Sequence, residues 1–125
     1  MIHLDTSALI AALTGDRVAL PTLRRLVTDE VRLGVCSIVL YEWWRGPRAD
    51  DELADQERLV PSSAAVPFGP AEAQVAAEIY LQLSRPRPRA ADIAIAACAI
   101  TQGAALWTLN PADFRDIPGL ELAAT

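Results

Sequence analysis

The segment RAADIAIAACAI, residues 89 to 100, constrains the fold of this chain more than any other stretch. Alanine, isoleucine and cysteine fill nearly every position, so a helix formed here is apolar on all sides and has to be buried. One carboxylate, Asp92, lies near its start. Because an isolated ionised carboxylate is costly to bury, Asp92 must be neutralised, paired, used as a helix cap or bound to a metal ion.

Short apolar strands alternate with helical segments over the rest of the chain. IHL before Asp5 predicts a strand, and TSALIAAL after it predicts a helix with Thr6 or Ser7 as its N-cap. The order repeats when the strand pattern of RLGVCS is followed by the helix IVLYEWWRG, which Ser37 would cap. A strand is also predicted in AALWTL, after the buried helix ends at Gly103.

Three further helices are predicted in VALPTLRRLVTDEV, ADDELADQERLV and PAEAQVAAEIYLQL, together with two weaker strands at 66–68 and 120–122. Alternating strands and helices favour a parallel sheet covered by helices on both faces. We therefore expect a single domain over residues 1–125, of the α/β class, with three α/β/α layers and a short, mostly parallel, Rossmann-like central sheet.

Composition excludes several classes of protein. The hydrophobic content of 52% in 125 residues is ample for one core. No apolar run reaches membrane-spanning length and the N-terminus lacks a basic leader, so we expect a cytoplasmic protein without a membrane partner. Cys36 and Cys98 lie in apolar stretches and are too few for a disulfide framework or a zinc cluster, which indicates reduced core thiols.

The net charge of −5 argues against a broad basic surface for nucleic acid. All 11 basic residues are arginine, and some are clustered. Arginine presents a planar fork suited to phosphate, so the clustered residues are candidates for local phosphate contacts. The candidates are Arg45, Arg48, Arg87 and Arg89. The alternative, that the RPRPR segment is only a stiff solvated connector, stays open.

Acidic residues follow the predicted strands on the edge where ligands bind in such sheets. They are Asp5, Glu42, Asp92 and Asp113. Glu42 lies well inside its helix, but helical side chains tilt toward the helix N-terminus, which returns its carboxylate to the strand end. Each acid also has a structural alternative: Asp5 and Asp92 as helix caps, Glu42 as an ordinary helical glutamate, and Asp113 as a turn residue.

Converging carboxylates have to be stabilised. Two like charges about 4 Å apart repel by roughly 4 kcal/mol at an effective dielectric of 20, whereas a helix N-terminus offsets only about 0.3 to 1 kcal/mol per acid. A divalent cation would relieve the repulsion, and an all-oxygen donor set suits Mg²⁺ or Mn²⁺ rather than zinc. The pattern thus favours phosphoryl chemistry.

Four blocks spread over the whole chain carry a resemblance to a known family. They are LDTSALI at 4–10, SIVLYEWWRG at 37–46, RAADIAIAACAI at 89–100 and LWTLNPADF at 106–114. In this order they resemble the PIN-domain family, specifically the VapC-type ribonuclease toxins of bacterial toxin–antitoxin pairs. The resemblance implies a PIN-like fold, a Mg²⁺- or Mn²⁺-dependent endoribonuclease that hydrolyses RNA phosphodiester bonds, and a homodimer inhibited by a cognate antitoxin.

Carried over by position, Asp5 and Asp92 would be the central metal ligands and Glu42 would complete or orient the site. Many relatives have the fourth acid where this chain has Asn110, and others have it at the position of Asp113. We assign Asp113, with Asn110 as a possible neutral ligand or hydrogen-bond donor.

Thr6 or Ser7 could position the scissile phosphate. Trp43 and Trp44 are expected to pack, with one of the two facing outward.

Two other functions are compatible with acids at strand ends. Receiver domains and haloacid-dehalogenase-like phosphatases also place acids at strand ends, but both rely on a lysine, and the chain has none. The phosphatase pattern also needs an aspartate where Ser7 stands. A catalytically inactive PIN-like module that only binds a partner protein remains the alternative, against which the presence of Asp5, Glu42 and Asp92 argues.

Overall fold

The computed structural model describes residues 1–124. In that range three parallel strands, β1 (Ile2–Leu4), β2 (Leu33–Gly34) and β3 (Ala105–Trp107), form a sheet of order β2-β1-β3. Six helices flank it: α1 (Thr6–Leu13), α2 (Ala19–Thr28), α3 (Ser37–Trp44), α4 (Asp50–Leu59), α5 (Pro70–Gln82) and α6 (Ala90–Thr101). Strands and helices occur where the sequence predicts them, and the α/β fold class is confirmed.

The two weaker predicted strands are present only as single parallel bridges, Cys36 with Val66 and Leu106 with Leu122. They extend the parallel arrangement by one chain segment on each side of the three strands. Pro67 follows the first bridge directly, and because proline has no N–H it cannot donate the next ladder hydrogen bond. This explains why the segment does not continue as a strand.

Helix α6 is buried as its composition requires, with every residue from Ile93 to Ala99 inaccessible. It ends where the sequence predicts, at Gly103, which has a φ of +63°. Two hydrogen bonds close this end: the N–H of Gly103 donates to the carbonyl of Ile100 at 3.0 Å, and that of Ala104 donates to Ala99 at 2.9 Å. This is a Schellman motif, whose left-handed residue is usually glycine.

Two predicted helix caps are wrong, and one alternative interpretation is excluded. The N-cap of α1 is Asp5 rather than Thr6 or Ser7. The N-cap of α3 is Cys36, because the Ser37 hydroxyl instead accepts a hydrogen bond from the N–H of Phe68 at 3.1 Å. The N-cap of α6 is Arg89, and Asp92 is the third residue of that helix, so the interpretation of Asp92 as a cap is excluded.

The strand order fixes where a ligand would bind. From central β1 the chain goes to β2 on one side and later returns to β3 on the other, so strand order reverses between β1 and β3. The carboxyl ends of strands at such a reversal form the usual ligand crevice of open α/β sheets. Within residues 1–124, no helix is long and apolar enough to cross a membrane.

Candidate functional site

Asp5 lies at the carboxyl end of β1 and is only 5% exposed. Its Oδ1 accepts a hydrogen bond from the Ser7 N–H at 2.7 Å, which caps α1. Its Oδ2 accepts hydrogen bonds from the hydroxyls of Ser7, at 3.2 Å, and Thr108. Burial raises the pKa of Asp5, the hydrogen bonds from Thr108 and Ser7 lower it, and the charge of Glu42 raises it, so that the pKa lies above its ordinary value. Asp5 is therefore a fixed, buried carboxylate.

Thr108 is a member of this site that the sequence analysis missed. Its hydroxyl donates to Asp5 and accepts from the N–H of Asn110 at 3.0 Å, while the Ser7 hydroxyl accepts from the N–H of Leu109 at 3.0 Å. These bonds attach the loop after β3 to Asp5. The sequence pattern could have identified Thr108, because it directly follows β3 as Asp5 directly follows β1. The last residues of these two strands pair, so the residues after them lie side by side.

We expect Thr108→Val to lower the free energy of unfolding by about 1–2 kcal/mol, since it removes a donor to Asp5 and leaves the Asn110 N–H without its acceptor. Urea denaturation measures this effect. The matched control is Thr28→Val, at an exposed position at the end of α2, which should change stability little. Equal effects of the two substitutions would contradict a structural role for the Thr108 hydroxyl.

Glu42 reaches the same edge of the sheet from α3. Its Oε1 accepts a hydrogen bond from the Thr6 hydroxyl at 2.5 Å, and its Oε2 lies 3.5 Å from Nη2 of Arg45. The Glu42 side chain is 18% exposed. Although Glu42 is the sixth residue of α3, it contacts the first residue of α1, as the backward tilt of helical side chains predicts. Thr6 thus fixes the Glu42 carboxylate through a hydrogen bond. Contact between the Thr6 hydroxyl and a phosphate stays a prediction.

Asp92 is half-buried in the first turn of α6. Burial raises its pKa most, and the negative charges of neighbouring carboxylates raise it further, to about 6. Those carboxylates are Asp5, Asp113 and Glu42, in decreasing order of effect. The charge of Arg89 acts in the opposite direction but does not offset them. No hydrogen bond contributes to this shift, so the Asp92 carboxylate is left with electrostatic strain.

This raised pKa predicts a pH dependence for the metal-free protein. The folded state binds the Asp92 proton more tightly than the unfolded chain, so the resulting stabilisation is fully present below the unfolded pKa of about 4. It is lost as the pH rises through about 6. Urea denaturation in EDTA at pH 4.5 and 7.5 should show that Asp92→Asn gains stability relative to wild type as the pH rises. An equal change in the free energy of unfolding between the two pH values in wild type and Asp92→Asn would contradict the raised pKa of Asp92.

Arg89 is occupied by contacts within the protein. Its Nη1 and Nη2 donate to the two carboxylate oxygens of Asp116 at 2.9 and 2.7 Å, and Nη2 also donates to the carbonyl of Asp113 at 2.8 Å. Arg89 occupies the N-cap position of α6, the helix that carries Asp92. This arginine therefore attaches the segment that carries Asp113 to the start of α6, and its contact with RNA stays a prediction.

We expect Arg89→Met to lower the melting temperature and to reduce any nuclease activity by about 10-fold, the lower end of the range for residues that orient metal ligands. Arg87, two residues away, is exposed and stays a candidate for phosphate contacts, so the matched control is Arg24→Met, at an exposed position of α2 that makes no ion pair within residues 1–124. Thermal melting and a cleavage assay measure the two effects. Melting temperatures that fall equally in both variants would contradict the positioning role of Arg89.

The remaining predicted site residues differ in their exposure and in the contacts that they make within the protein. Asp113 is exposed, and its charge reaches Asp92, whereas Asn110 is exposed and contributes its backbone N–H to Thr108. Arg48 is used in packing, because its Cζ lies 4.2 Å above the ring of Trp43 and its Nη1 donates to the Pro47 carbonyl at 2.9 Å. The Arg45 side chain is 58% exposed.

The donor set of this edge suits a hard cation, although the side chains do not form a closed cage. Across residues 1–124, no group of three or more Asp, Glu, His or Cys side chains is close enough to hold an ion on its own. Magnesium does not require such a cage, since it keeps several waters and is usually bound by one or two carboxylates together with substrate phosphate. Asp92, which carries electrostatic strain and lacks a hydrogen-bonded partner, fits the role of a ligand.

Comparison with known families decides what kind of domain this is. A family model for the PIN domain matches residues 2–120. The chain belongs to the PIN-domain family. The resemblance carried by the four sequence blocks is thus confirmed, whereas no curated protein matches the sequence significantly.

Solved structures of similar fold include other PIN-domain proteins in complexes. The chain is 21% identical to one from VapBC2 of Rickettsia felis bound to promoter DNA, with a TM-score of 0.70 and coverage of 98% of both chains. DNA-bound VapBC from Salmonella typhimurium gives 22% identity and a TM-score of 0.74, over 98% of this chain and 96% of that one. FitAcB from Neisseria gonorrhoeae gives 20% identity and a TM-score of 0.70, over 98% of this chain and 97% of that one. These likenesses confirm the predicted PIN fold.

Proposed function

We propose that this PIN domain is a metal-dependent endoribonuclease that acts as the toxin of a toxin–antitoxin pair. One observation carries the proposal: the carboxylates of Asp5, Asp113 and Glu42, from distant segments, lie near enough to the half-buried Asp92 for their charges to act on its carboxylate. A purely structural carboxylate would be paired or capping, and Asp92 is neither. Strain of this kind at a strand-end crevice is typical of functional sites.

In the proposed site Asp5 and Asp92 hold a divalent cation, Glu42 completes or orients the site, and Asp113 is the fourth acid. Mg²⁺ or Mn²⁺ suits these oxygen donors, and when bound the ion would lower the pKa of a water molecule and balance charge that develops on the phosphate. Ser7 and Thr6 lie beside Asp5 and Glu42, where their hydroxyls can orient the scissile phosphate. Hydrolysis would leave a 3′-hydroxyl and a 5′-phosphate.

A histidine base is not part of the proposal. His3 is 3% exposed within β1, and burial followed by the charge of the N-terminus lowers its pKa, so it is neutral at pH 7. Its ring lies against Gly34, where an added Cβ would come within 3.0 Å of the imidazole. His3 is therefore a core residue that a substrate cannot reach.

The proposed partners follow from the family and its structural neighbours. The solved VapBC structures from Rickettsia felis and Salmonella typhimurium are complexes bound to DNA, the former to a fragment of their promoter. This supports a cytoplasmic protein with a cognate antitoxin. A homodimer is also part of the proposal, and Phe68, Tyr80 and Leu81 on and near α5 provide exposed apolar surface for an interface.

The test is cleavage of total bacterial RNA by the purified chain with Mg²⁺, with Mn²⁺ and with EDTA. The proposal expects fragments with 5′-phosphate ends in either metal and none in EDTA. Sequencing the RNA ends after brief expression of wild type and of Asp92→Asn would identify the target RNA. Absence of metal-dependent cleavage in the purified chain would contradict the proposal and favour the alternative, an inactive module that only binds a partner protein.

A further inference from the structure

Helix α3 exposes two aromatic residues and an arginine next to Glu42. Tyr41 is 60% exposed and Trp44 50% exposed, whereas Trp43 between them is completely buried. The side chain of Arg45 is 58% exposed. We call Tyr41, Trp44 and Arg45 the aromatic–arginine face. Large aromatic side chains are costly to leave in water, so this face needs an explanation beyond folding.

Contacts connect this face to the carboxylate site. The Cζ of Arg45 lies 5.1 Å from the centre of the Tyr41 ring, and Nη2 of the same guanidinium lies 3.5 Å from Oε2 of Glu42. One guanidinium therefore spans the gap between the aromatic ring and a proposed catalytic carboxylate. A substrate group bound beside Glu42 would have Arg45 as a neighbour, and the Tyr41 ring lies on the other side of that guanidinium.

The aromatic side chains of this face are held in place. The indole N–H of Trp44 donates to Oε1 of Gln56 at 3.3 Å, and Gln56 is itself completely buried, with its amide N–H groups donating to Glu57 and to the Val60 carbonyl. Arg45 restrains Tyr41 from one side of its ring. Aromatic surfaces that are already ordered lose little side-chain entropy when a ligand stacks on them.

The chemistry of this face matches one unit of single-stranded nucleic acid. An exposed ring offers a stacking surface for a base, and an arginine beside it offers a cationic fork for the attached phosphate. In a duplex both faces of each base are already stacked, so only an unpaired base could use the ring. The guanidinium of Arg45 lies 3.5 Å from Glu42, but its side chain is 58% exposed and can also donate to a phosphate.

We propose that Tyr41 and Arg45 form a subsite for one unpaired nucleobase and its phosphate, adjacent to the bond that is cleaved. This inference rests on the proposed nuclease function and assigns to Tyr41 a role in substrate binding. Trp44 extends the same face and provides a second stacking surface for the next base.

Binding of short RNA tests the subsite without any need for cleavage. Fluorescence anisotropy with a labelled single-stranded RNA of mixed sequence, in EDTA, gives the Kd of wild type, Tyr41→Ala and Tyr41→Phe. The matched control is Val27→Ala, which truncates an exposed apolar side chain on α2. We expect Tyr41→Ala to weaken binding roughly 5- to 150-fold, the range that corresponds to the loss of one base–aromatic stack. Tyr41→Phe should retain most of the affinity, and Val27→Ala all of it.

A scan with single abasic residues identifies the stacked base. At one position the missing base should weaken binding to wild type as much as Tyr41→Ala does, and should cost the Tyr41→Ala protein nothing further. A duplex of the same sequence should compete poorly. The proposal is overturned if Tyr41→Ala behaves like Val27→Ala, if wild type binds no RNA, if the duplex competes equally, or if Tyr41→Ala impairs only binding of a protein partner.

Failure of the subsite and failure of the nuclease proposal are distinguishable. Metal-dependent cleavage of the same RNA by wild type, with KM unaffected by Tyr41→Ala, would overturn the subsite alone. RNA that binds through Tyr41 but is cut in neither Mg²⁺ nor Mn²⁺ would overturn the nuclease proposal and leave the subsite standing. A loss confined to kcat in Tyr41→Ala would assign Tyr41 to the positioning of Glu42 rather than to base binding.

Discussion

Asp92→Asn is expected to abolish metal-dependent RNA cleavage, with a loss of at least about 100-fold, while the protein stays folded. The loss of a residue that only orients a metal ligand typically costs 10- to 100-fold, and the loss of a ligand itself should cost more. The substitution keeps the shape of the side chain and removes the charge that burial and three neighbouring carboxylates oppose. The measurement is the rate of cleavage of the mapped RNA target at saturating Mg²⁺ or Mn²⁺.

The matched control for this prediction is Asp29→Asn, the same chemical change at an exposed position at the end of α2. We expect it to retain full activity. Because Asp92→Asn relieves repulsion, its free energy of unfolding without metal at pH 7.5 should equal or exceed that of wild type. An Asp92→Asn protein that keeps wild-type turnover would refute the assignment, and one that unfolds would place Asp92 in the structural framework instead.

Mg²⁺ and Mn²⁺ are expected to stabilise the wild-type protein strongly. The folded state brings the carboxylates to one edge of the sheet and the unfolded chain does not, so a cation binds the folded state preferentially. At a metal concentration 100 times Kd, this binding adds about 2.7 kcal/mol to the free energy of unfolding. For a domain of this length the melting temperature should rise on the order of 10 °C. Differential scanning calorimetry against EDTA, at matched ionic strength, measures the shift.

Variants separate a specific site from general screening of negative charge. Asp92→Asn should lose most of the metal-induced shift, whereas Asp29→Asn should retain it. A chain of net charge −5 binds cations weakly over its whole surface, and that contribution would be the same in all three proteins. An equal shift in wild type and in both variants would count against a metal site at this edge.

Features that depend on local pattern were predictable from the sequence. The buried helix α6 follows from a segment that is apolar on all sides, and its end follows from Gly103. The return of Glu42 to the strand end follows from the geometry of any α-helix, and the structure places it against Thr6. The positions of the strands relative to the acids were therefore accessible without coordinates.

Features that depend on competition between distant groups were not predictable. Ser37 is a good N-cap residue, but its hydroxyl is taken by Phe68, 31 residues further along the chain. The sequence shows Arg89 only as one arginine of the RPRPR segment, and only the fold reveals that Asp116 and the Asp113 carbonyl occupy its guanidinium. Thr108 differs from these two, because its position directly after β3 is visible in the sequence pattern, but a threonine carries no charge and its hydrogen bond to Asp5 was missed.

The central claim is that carboxylates from distant segments jointly bind one divalent cation at the carboxyl edge of the sheet. Anomalous diffraction from crystals of the wild-type protein grown with Mn²⁺ tests it most directly. The account predicts one strong peak at coordination distance, about 2 Å, from an oxygen of Asp5 and an oxygen of Asp92, and no such peak in Asp92→Asn. A manganese peak that contacts neither residue, or the same peak in wild type and Asp92→Asn, would contradict it.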